Sequence, residues 1–273
     1  MLGALVIVFR EVIEAGLIIG IVLAASREIP GNKRFVTLGV AAGIAGSMVV
    51  AIFAGAISDA FAGAGQELFN AGVLGTAVVM LTWHNVWMAR HSREIVTHMQ
   101  DVGAAVSAGK RPLAALGIVV GLAVLREGSE VVLFLYGVLA SGTTGASVLT
   151  GGLLGILGGV AFSALTYYGL LAIPLRHIFS VTAILIALLA AGMAAQAVQY
   201  LYSAGIVTVL SQQLWDTSWL LSQNSLIGRV LHTLIGYTDR PTELQLIVYL
   251  VTLVVMVALT RVARPAHPAR ATA

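Results

Sequence analysis

Seven stretches of this chain stay apolar for about the length of a bilayer crossing, and that constrains everything else it can form. A membrane-spanning helix takes roughly 20 mostly apolar residues, and segments 2–25, 36–58, 68–89, 113–140, 147–173, 178–201 and 245–262 meet that length. Charged residues make up 10% of the chain and apolar ones 59%, whereas a soluble domain is about a quarter charged. No wet surface can be built around such segments, so the expected fold is all-α, with seven transmembrane helices in one domain and the lipid bilayer as solvent. The stretch 202–244 is too polar in places to span. Its Leu226, Ile227, Val230, Leu231, Leu234 and Ile235 recur at helical spacing and predict an amphipathic surface helix over 224–236. The first residues carry no positive run and no cleavage site, and read as the start of a mature helix.

Lys and Arg concentrate on the cytoplasmic side of membrane proteins. With the N-terminus outside, the inner connectors are 26–35, 90–112, the corner 174–177 and the C-terminal tail. They hold Arg27, Lys33, Arg34, Arg90, Arg93, Lys110, Arg111, Arg176, Arg261, Arg264 and Arg270, against Arg229 and Arg240 outside. The expected topology is therefore N-out and C-in. This bias accounts for the basic isoelectric point, and no nucleic-acid partner is implied. The absence of cysteine excludes disulfides, thiolate metal sites and thiol catalysis.

Residues 8–25 read VFREVIEAGLIIGIVLAA and residues 124–141 read VLREGSEVVLFLYGVLAS. Aligned without gaps, Arg10, Glu11 and Glu14 fall on Arg126, Glu127 and Glu130. In the following segments Gly39, Gly43 and Gly46 echo Gly151, Gly155 and Gly158, glycine rows that suit close helix packing. Helices one to three (about 1–90) thus read as a copy of helices four to six (about 113–201), followed by the outer segment 202–244 and a last helix, 245–262. Because three is odd, the second copy must run the opposite way. Inverted repeats of this kind recur in secondary transporters, with the site near the midplane.

Two Arg-Glu-x-x-Glu motifs near the bilayer centre set the chemistry. Residues three apart share a helix face, so Glu11 and Glu14 point one way, as do Glu127 and Glu130, while each arginine lies four residues before a glutamate of its own motif. Six ionisable groups at this depth cost roughly 15–21 kcal/mol uncompensated, if Glu behaves like Asp, so they must face inward and pair. Two arginines against four glutamates leave carboxylate in excess, which purely structural pairing would not need. Surplus oxygen donors suit a hard, multiply charged cation. Arg10 and Arg126 would hold the glutamates together in its absence.

These two motifs, in the first and fourth of seven helices, resemble the oxidase-dependent iron transporter family, which comprises fungal high-affinity iron permeases and their bacterial counterparts. The resemblance covers nearly the whole chain and extends to Leu214-Trp215-Asp216-Thr217-Ser218 and Gly236-Tyr237, which are similar to the bacterial members. It implies a high-affinity iron permease in a bacterial inner membrane, with Glu11, Glu14, Glu127 and Glu130 as metal ligands and Arg10 and Arg126 supporting them. It also implies ferric iron as transported substrate, oxidised by a periplasmic ferroxidase or peroxidase-type or iron-binding partner, with no permanently bound cofactor. In the family the first spacer residue is often Gly; Gly128 keeps it and Val12 does not, a departure that touches packing.

Other polar residues are candidate pathway groups. Asp59 and Glu67 flank an outer turn, His84 is read toward the inner end of the third helix as an exit ligand, and Gln196 and Gln199 lie in the outward half of the sixth. Ordinary helix-end and loop charges, and a packed or hydrogen-bonded histidine, are the preferred readings of the first three. Trp83, Trp87, Tyr167 and Tyr168 read as interfacial anchors. The alternative is a secondary transporter of another divalent cation or of a proton-coupled solute. A di-iron enzyme, built in bundles from Glu and Glu-x-x-His pairs, is rejected because no histidine is read at mid-span.

Overall fold

The computed structural model describes residues 1–60, 65–169, 175–223 and 225–263, with the side chains of 58–60, 89, 92, 93, 95, 96, 175–178, 226 and 233 outside that description. Pro174, Arg264, Arg270 and the side chains of Asp59, Arg93, Arg176 and His177 therefore lie outside the described residues. The expected all-helical chain is observed. Helices run α1 (Leu2–Ala25), α2 (Asn32–Ala60), α3 (Gln66–Ser107), α4 (Ala114–Ala140), α5 (Gly145–Tyr167), α6 (Leu175–Ser203), α7 (Leu226–Ile235) and α8 (Glu243–Ala263). Among the described residues only a single bridge, Gln213 with Thr242, pairs as a strand does.

Among the described residues, four helical stretches are long and apolar enough to cross a membrane by length and composition alone: Asn32–Ile57, Gly145–Tyr167, Phe179–Ser203 and Glu243–Ala263. The other three long helices, α1, α3 and α4, are those that carry buried ionisable side chains: Arg10, Glu11 and Glu14, then His84, then Glu127. The same side chains that lower their apolarity make up the centre described below.

Two corrections concern extent. The third helix does not stop near residue 89 and give way to a connector; α3 continues through Ser107. Its Met99, Val102 and Val106 recur at helical spacing and pack with Val22, Val36, Leu116 and Val120, so tertiary burial extends a helix whose outer face, with Glu94, His98 and Asp101, is polar and exposed. The fifth helix ends at Tyr167 rather than 173, where Gly169 turns the chain at φ 72°.

α1 lies along α5, and α2 along α4. Gly43 sits so close to α4 that an added methyl would lie 2.7 Å from the Gly121 carbonyl, and at Gly155 one would lie 2.8 Å from the Leu5 carbonyl of α1. Only glycine fits either place without a shift. Gly39 faces Gly117 and Gly46 faces Leu125, while Gly151 faces Met1 and Gly158 faces Phe9. Under the alignment of Arg10 with Arg126 these contacts correspond one by one. The missing spacer glycine is compensated in the same interface, because Val12 packs on Gly159 whereas Gly128 packs under Ser47.

Helix directions follow from the same contacts. α1 and α3 are parallel, since Glu11 and Glu14 meet His84 and, further on, Ala25 meets Gly103 and Ser107. α3 and α4 are antiparallel, since His84 meets Glu130 while the earlier Ala77 meets the later Gly137. α1 and α4 thus cross in opposite senses.

Among the described residues the core gathers two apolar clusters. One gathers Ile7, Leu74, Leu81, Phe134, Ile186, Met193 and Met256, the other Val22, Val102, Val106, Leu116, Val120 and Val124. Between them on α1, α3 and α4 falls the polar layer.

The stretch between α6 and α8 is ordered by its own bonds. α7 matches the expected surface helix; the Ser225 hydroxyl caps it by accepting from Gly228 N–H at 2.9 Å, and Gly236 ends it at φ 70°. Leu214 N–H donates to Pro241 O and Thr217 N–H to Asp239 O. Tyr237 donates to Leu221 O at 2.8 Å.

Candidate metal centre

Glu11 and Glu14 face the bundle interior because the surrounding positions of α1, Ile7, Val8, Ile13 and Ile18, are buried too. Arg10, Glu11 and Glu14 are 3%, 1% and 3% exposed. Arg10 Nη1 donates to Glu11 Oε1 at 3.4 Å, and its Nε lies 3.1 Å from Glu14 Oε1. On α4, Arg126 Nε donates to Glu130 Oε1 at 3.1 Å and lies 4.0 Å from Glu127 Oε1. The expected reach of each arginine to its own motif is therefore observed, at i,i+4 on both helices.

The two motifs are not environmentally equal. Arg10 is sealed, whereas the Arg126 side chain is 38% exposed and its guanidinium lies 4.0 Å above the Trp87 ring. Cation–π contact of this kind compensates a partly desolvated arginine. Trp87, read as an interfacial anchor, thus supports the centre; Trp83 is largely exposed but adjoins His84 at the depth of that layer rather than at an interface, and Tyr168 is largely exposed at the end of α5.

His84 is the principal correction. It does not lie toward an interface but between the motifs, 3% exposed, and the mid-span histidine held to be missing is therefore present. Its Nε2 lies 3.7 Å from Glu11 Oε2 and 3.7 Å from Glu14 Oε2, and its Nδ1 contacts Glu130 Oε2. Reading α3 as ending near 89 put His84 close to a helix end; with α3 running to Ser107 it falls mid-helix. The signal available in the sequence was spacing, since Leu74, Ala77, Leu81 and His84 share one helical face.

Glu11, His84, Glu127 and Glu130 each offer a ligand atom, all within 4.8 Å of one another. Glu11 Oε2, Glu127 Oε2, Glu130 Oε2 and both His84 nitrogens are buried without an aligned hydrogen bond. Buried polar atoms in that condition are costly, and one cation among them would satisfy several together. Both Glu14 oxygens are in the same condition, and Glu14, which faces Arg10 and His84, lies outside that group. A cleft of about 640 Å³ between α1, α2, α4 and α5 reaches Glu11 and Glu127 past Ser47, Gly128 and Ser163.

The remaining candidates stay apart from this cluster. Glu67 is exposed at the start of α3. Gln196 lines a small cavity with Ser141, Met193 and His232. Gln199 Oε1 accepts from Gln245 Nε2 at 3.0 Å, tying α6 to α8.

Apolar helices of spanning length wrapped around one carboxylate-rich layer define a multi-pass helical membrane protein with a centre suited to a cation. Residues 1–264 match the model of the iron permease FTR1 family, and the chain belongs to that family. It is 29% identical over 248 residues to the ferrous iron permease EfeU of Yersinia pestis, covering 90% of this chain and 88% of that protein. It is 31% identical to the protein of the same description from Escherichia coli O157:H7, covering 90% of each. No solved structure matches it significantly.

Proposed function

We propose that this chain moves iron across a bacterial inner membrane, holding the ion between the two Arg-Glu-x-x-Glu motifs. The observation that carries the reading is the convergence of carboxylates from two antiparallel helices: Glu11 of α1 with Glu127 and Glu130 of α4. Membership of an iron permease family supports it. In this reading α1 to α6 and α8 are the seven spans, α7 lies on the outer surface, and the termini are N-out and C-in. The matching glycine contacts and the opposed directions of α1 and α4 support a pair of inverted three-helix units, which rock against one another to open the centre first outward and then inward.

The ion in this reading is ferrous, which replaces the ferric expectation. The relatives are called ferrous iron permeases, and an imidazole among the carboxylates suits a borderline dication. Any partner on the outside then delivers iron without having to oxidise it. Uptake of radioactive Fe²⁺ into proteoliposomes tests the proposal. Glu127→Gln should lower uptake about tenfold or more, equivalent to about 1.4 kcal/mol or more of lost binding, with Mn²⁺ competing and Ca²⁺ not. Unchanged uptake in Glu127→Gln would leave the motifs as structural pairs.

A further inference from the structure

We infer that His84 is a direct ligand of the transported ion, so that the site is three carboxylates and one imidazole rather than four carboxylates. The inference rests on the permease reading above and deepens it. Four observations carry it. His84 is 3% exposed, in a layer where a polar ring must have partners. The nearest polar partners of both ring nitrogens are carboxylates, with no backbone carbonyl or hydroxyl bonded to either as a histidine kept only for packing would have. The two nitrogens face different motifs, Nε2 toward Glu11 and Glu14 and Nδ1 toward Glu130. Finally, a nitrogen of His84 joins oxygens of Glu11, Glu127 and Glu130 within 4.8 Å, while Glu14 is outside that group.

The ring also has what a ligating histidine needs behind it. A metal-bound imidazole commonly donates its other N–H to a carboxylate, which fixes ring and tautomer. With the ion on the side of Glu127 and Glu130, Nδ1 takes the metal and Nε2–H donates to Glu14, which Arg10 holds in place. That gives Glu14 the role of orienting the imidazole, distinct from Glu130 at the matching motif position. Phe134 packs edge-on to the ring, centroids 6.3 Å apart, and restricts its tilt. α6 carries no histidine between Phe179 and Ser203, so this ligand is single and breaks the equivalence of the two halves.

The chemical consequence is selectivity. Carboxylate oxygens alone serve Mg²⁺ and Ca²⁺ as well as iron, whereas an imidazole nitrogen favours the transition-metal dications. The class of ion recognised is therefore a borderline divalent transition metal.

Mn²⁺, added to the purified full-length protein as a paramagnetic probe, reads the ligands directly by pulsed electron paramagnetic resonance. Wild type should show imidazole ¹⁴N coupling, and His84→Gln should retain bound Mn²⁺ and lose the coupling. In uptake assays His84→Gln should also lose about tenfold of the preference for Fe²⁺ over Ca²⁺, which is about 1.4 kcal/mol. Wild type needs no variant to fold: bound Mn²⁺ with no nitrogen coupling overturns the assignment, as does coupling that persists in His84→Gln. Glu127→Gln separates the two levels of argument. If it still binds Mn²⁺ with a nitrogen coupling that also survives in the double variant Glu127→Gln/His84→Gln, the metal lies away from the motifs and the permease site itself is misassigned. If binding depends on Glu127 and shows no nitrogen, only the role of His84 fails.

Discussion

Arg10 and Arg126 occupy the same place in their motifs, yet their surroundings assign them different energies. Removing one partner of a buried ion pair costs about 3–5 kcal/mol because it strands the other, and less where the stranded carboxylate keeps another close partner, as Glu130 keeps His84. Arg10→Gln, which strands Glu11 and Glu14 in a sealed layer, should therefore lower the melting temperature in detergent well below that of Arg126→Gln, whose side chain is 38% exposed and rests on Trp87. Equal losses would mean that the two motifs share one environment after all. The six motif residues were legible in the sequence because charge in an apolar run stands out and occurs twice at one spacing. His84 was not placed correctly, because a single histidine among Trp83, Asn85 and Trp87 carries no such periodic signal. Its depth depends on where α3 ends, and tertiary contacts through Met99, Val102 and Val106 set that end.

Among elements, the glycine rows of α2 and α5 announced close packing, and the structure supplies their partners. Gly43→Ala and Gly155→Ala each force a methyl to within 3 Å of a carbonyl oxygen, and overpacking of this kind costs about 1–3 kcal/mol. Matched destabilisation in paired thermal melts is the expected result, since the two interfaces correspond. A loss at one alone would contradict that correspondence. The stretch between α6 and α8 offers a pH test. Asp216 accepts from the Ser218 hydroxyl at 2.6 Å and amide at 2.9 Å and faces Arg240 at 3.1 Å, and these partners hold its carboxyl below the usual carboxylate range. A depressed folded value stabilises above the unfolded one, about 3.9, and the effect is lost as pH falls through the folded value. Protection of residues 210–223 from protease should accordingly hold from pH 7 to pH 5 and decline only below about pH 4. Asp216→Asn should remove that dependence, and a decline already at pH 6 would rule Asp216 out as its source. Short surface helices such as α7 are readable from periodicity. The bridge of Gln213 with Thr242 was not, because it joins two stretches about 30 residues apart with no alternation to mark them.

For the whole molecule, composition fixed the solvent as lipid, and charge bias proposed an orientation. The chain has no cysteine, so single cysteines report sidedness cleanly. Ser211→Cys should react with an impermeant maleimide in intact spheroplasts, and Lys110→Cys only after permeabilisation; the reverse pattern would invert the topology. The convergence of α1, α3 and α4 on one layer was only half visible. Motif repetition implied that two helices share a site, but the face that Leu74, Ala77, Leu81 and His84 share does not by itself show that a third helix supplies a ring between them. The central claim is that both motifs serve one ion, and titration of Fe²⁺ into the purified protein under anaerobic conditions tests it most directly. The account predicts one site per chain, abolished equally by Glu11→Gln and by Glu127→Gln. Two sites of which each substitution removes one, or a single site indifferent to either, would contradict it.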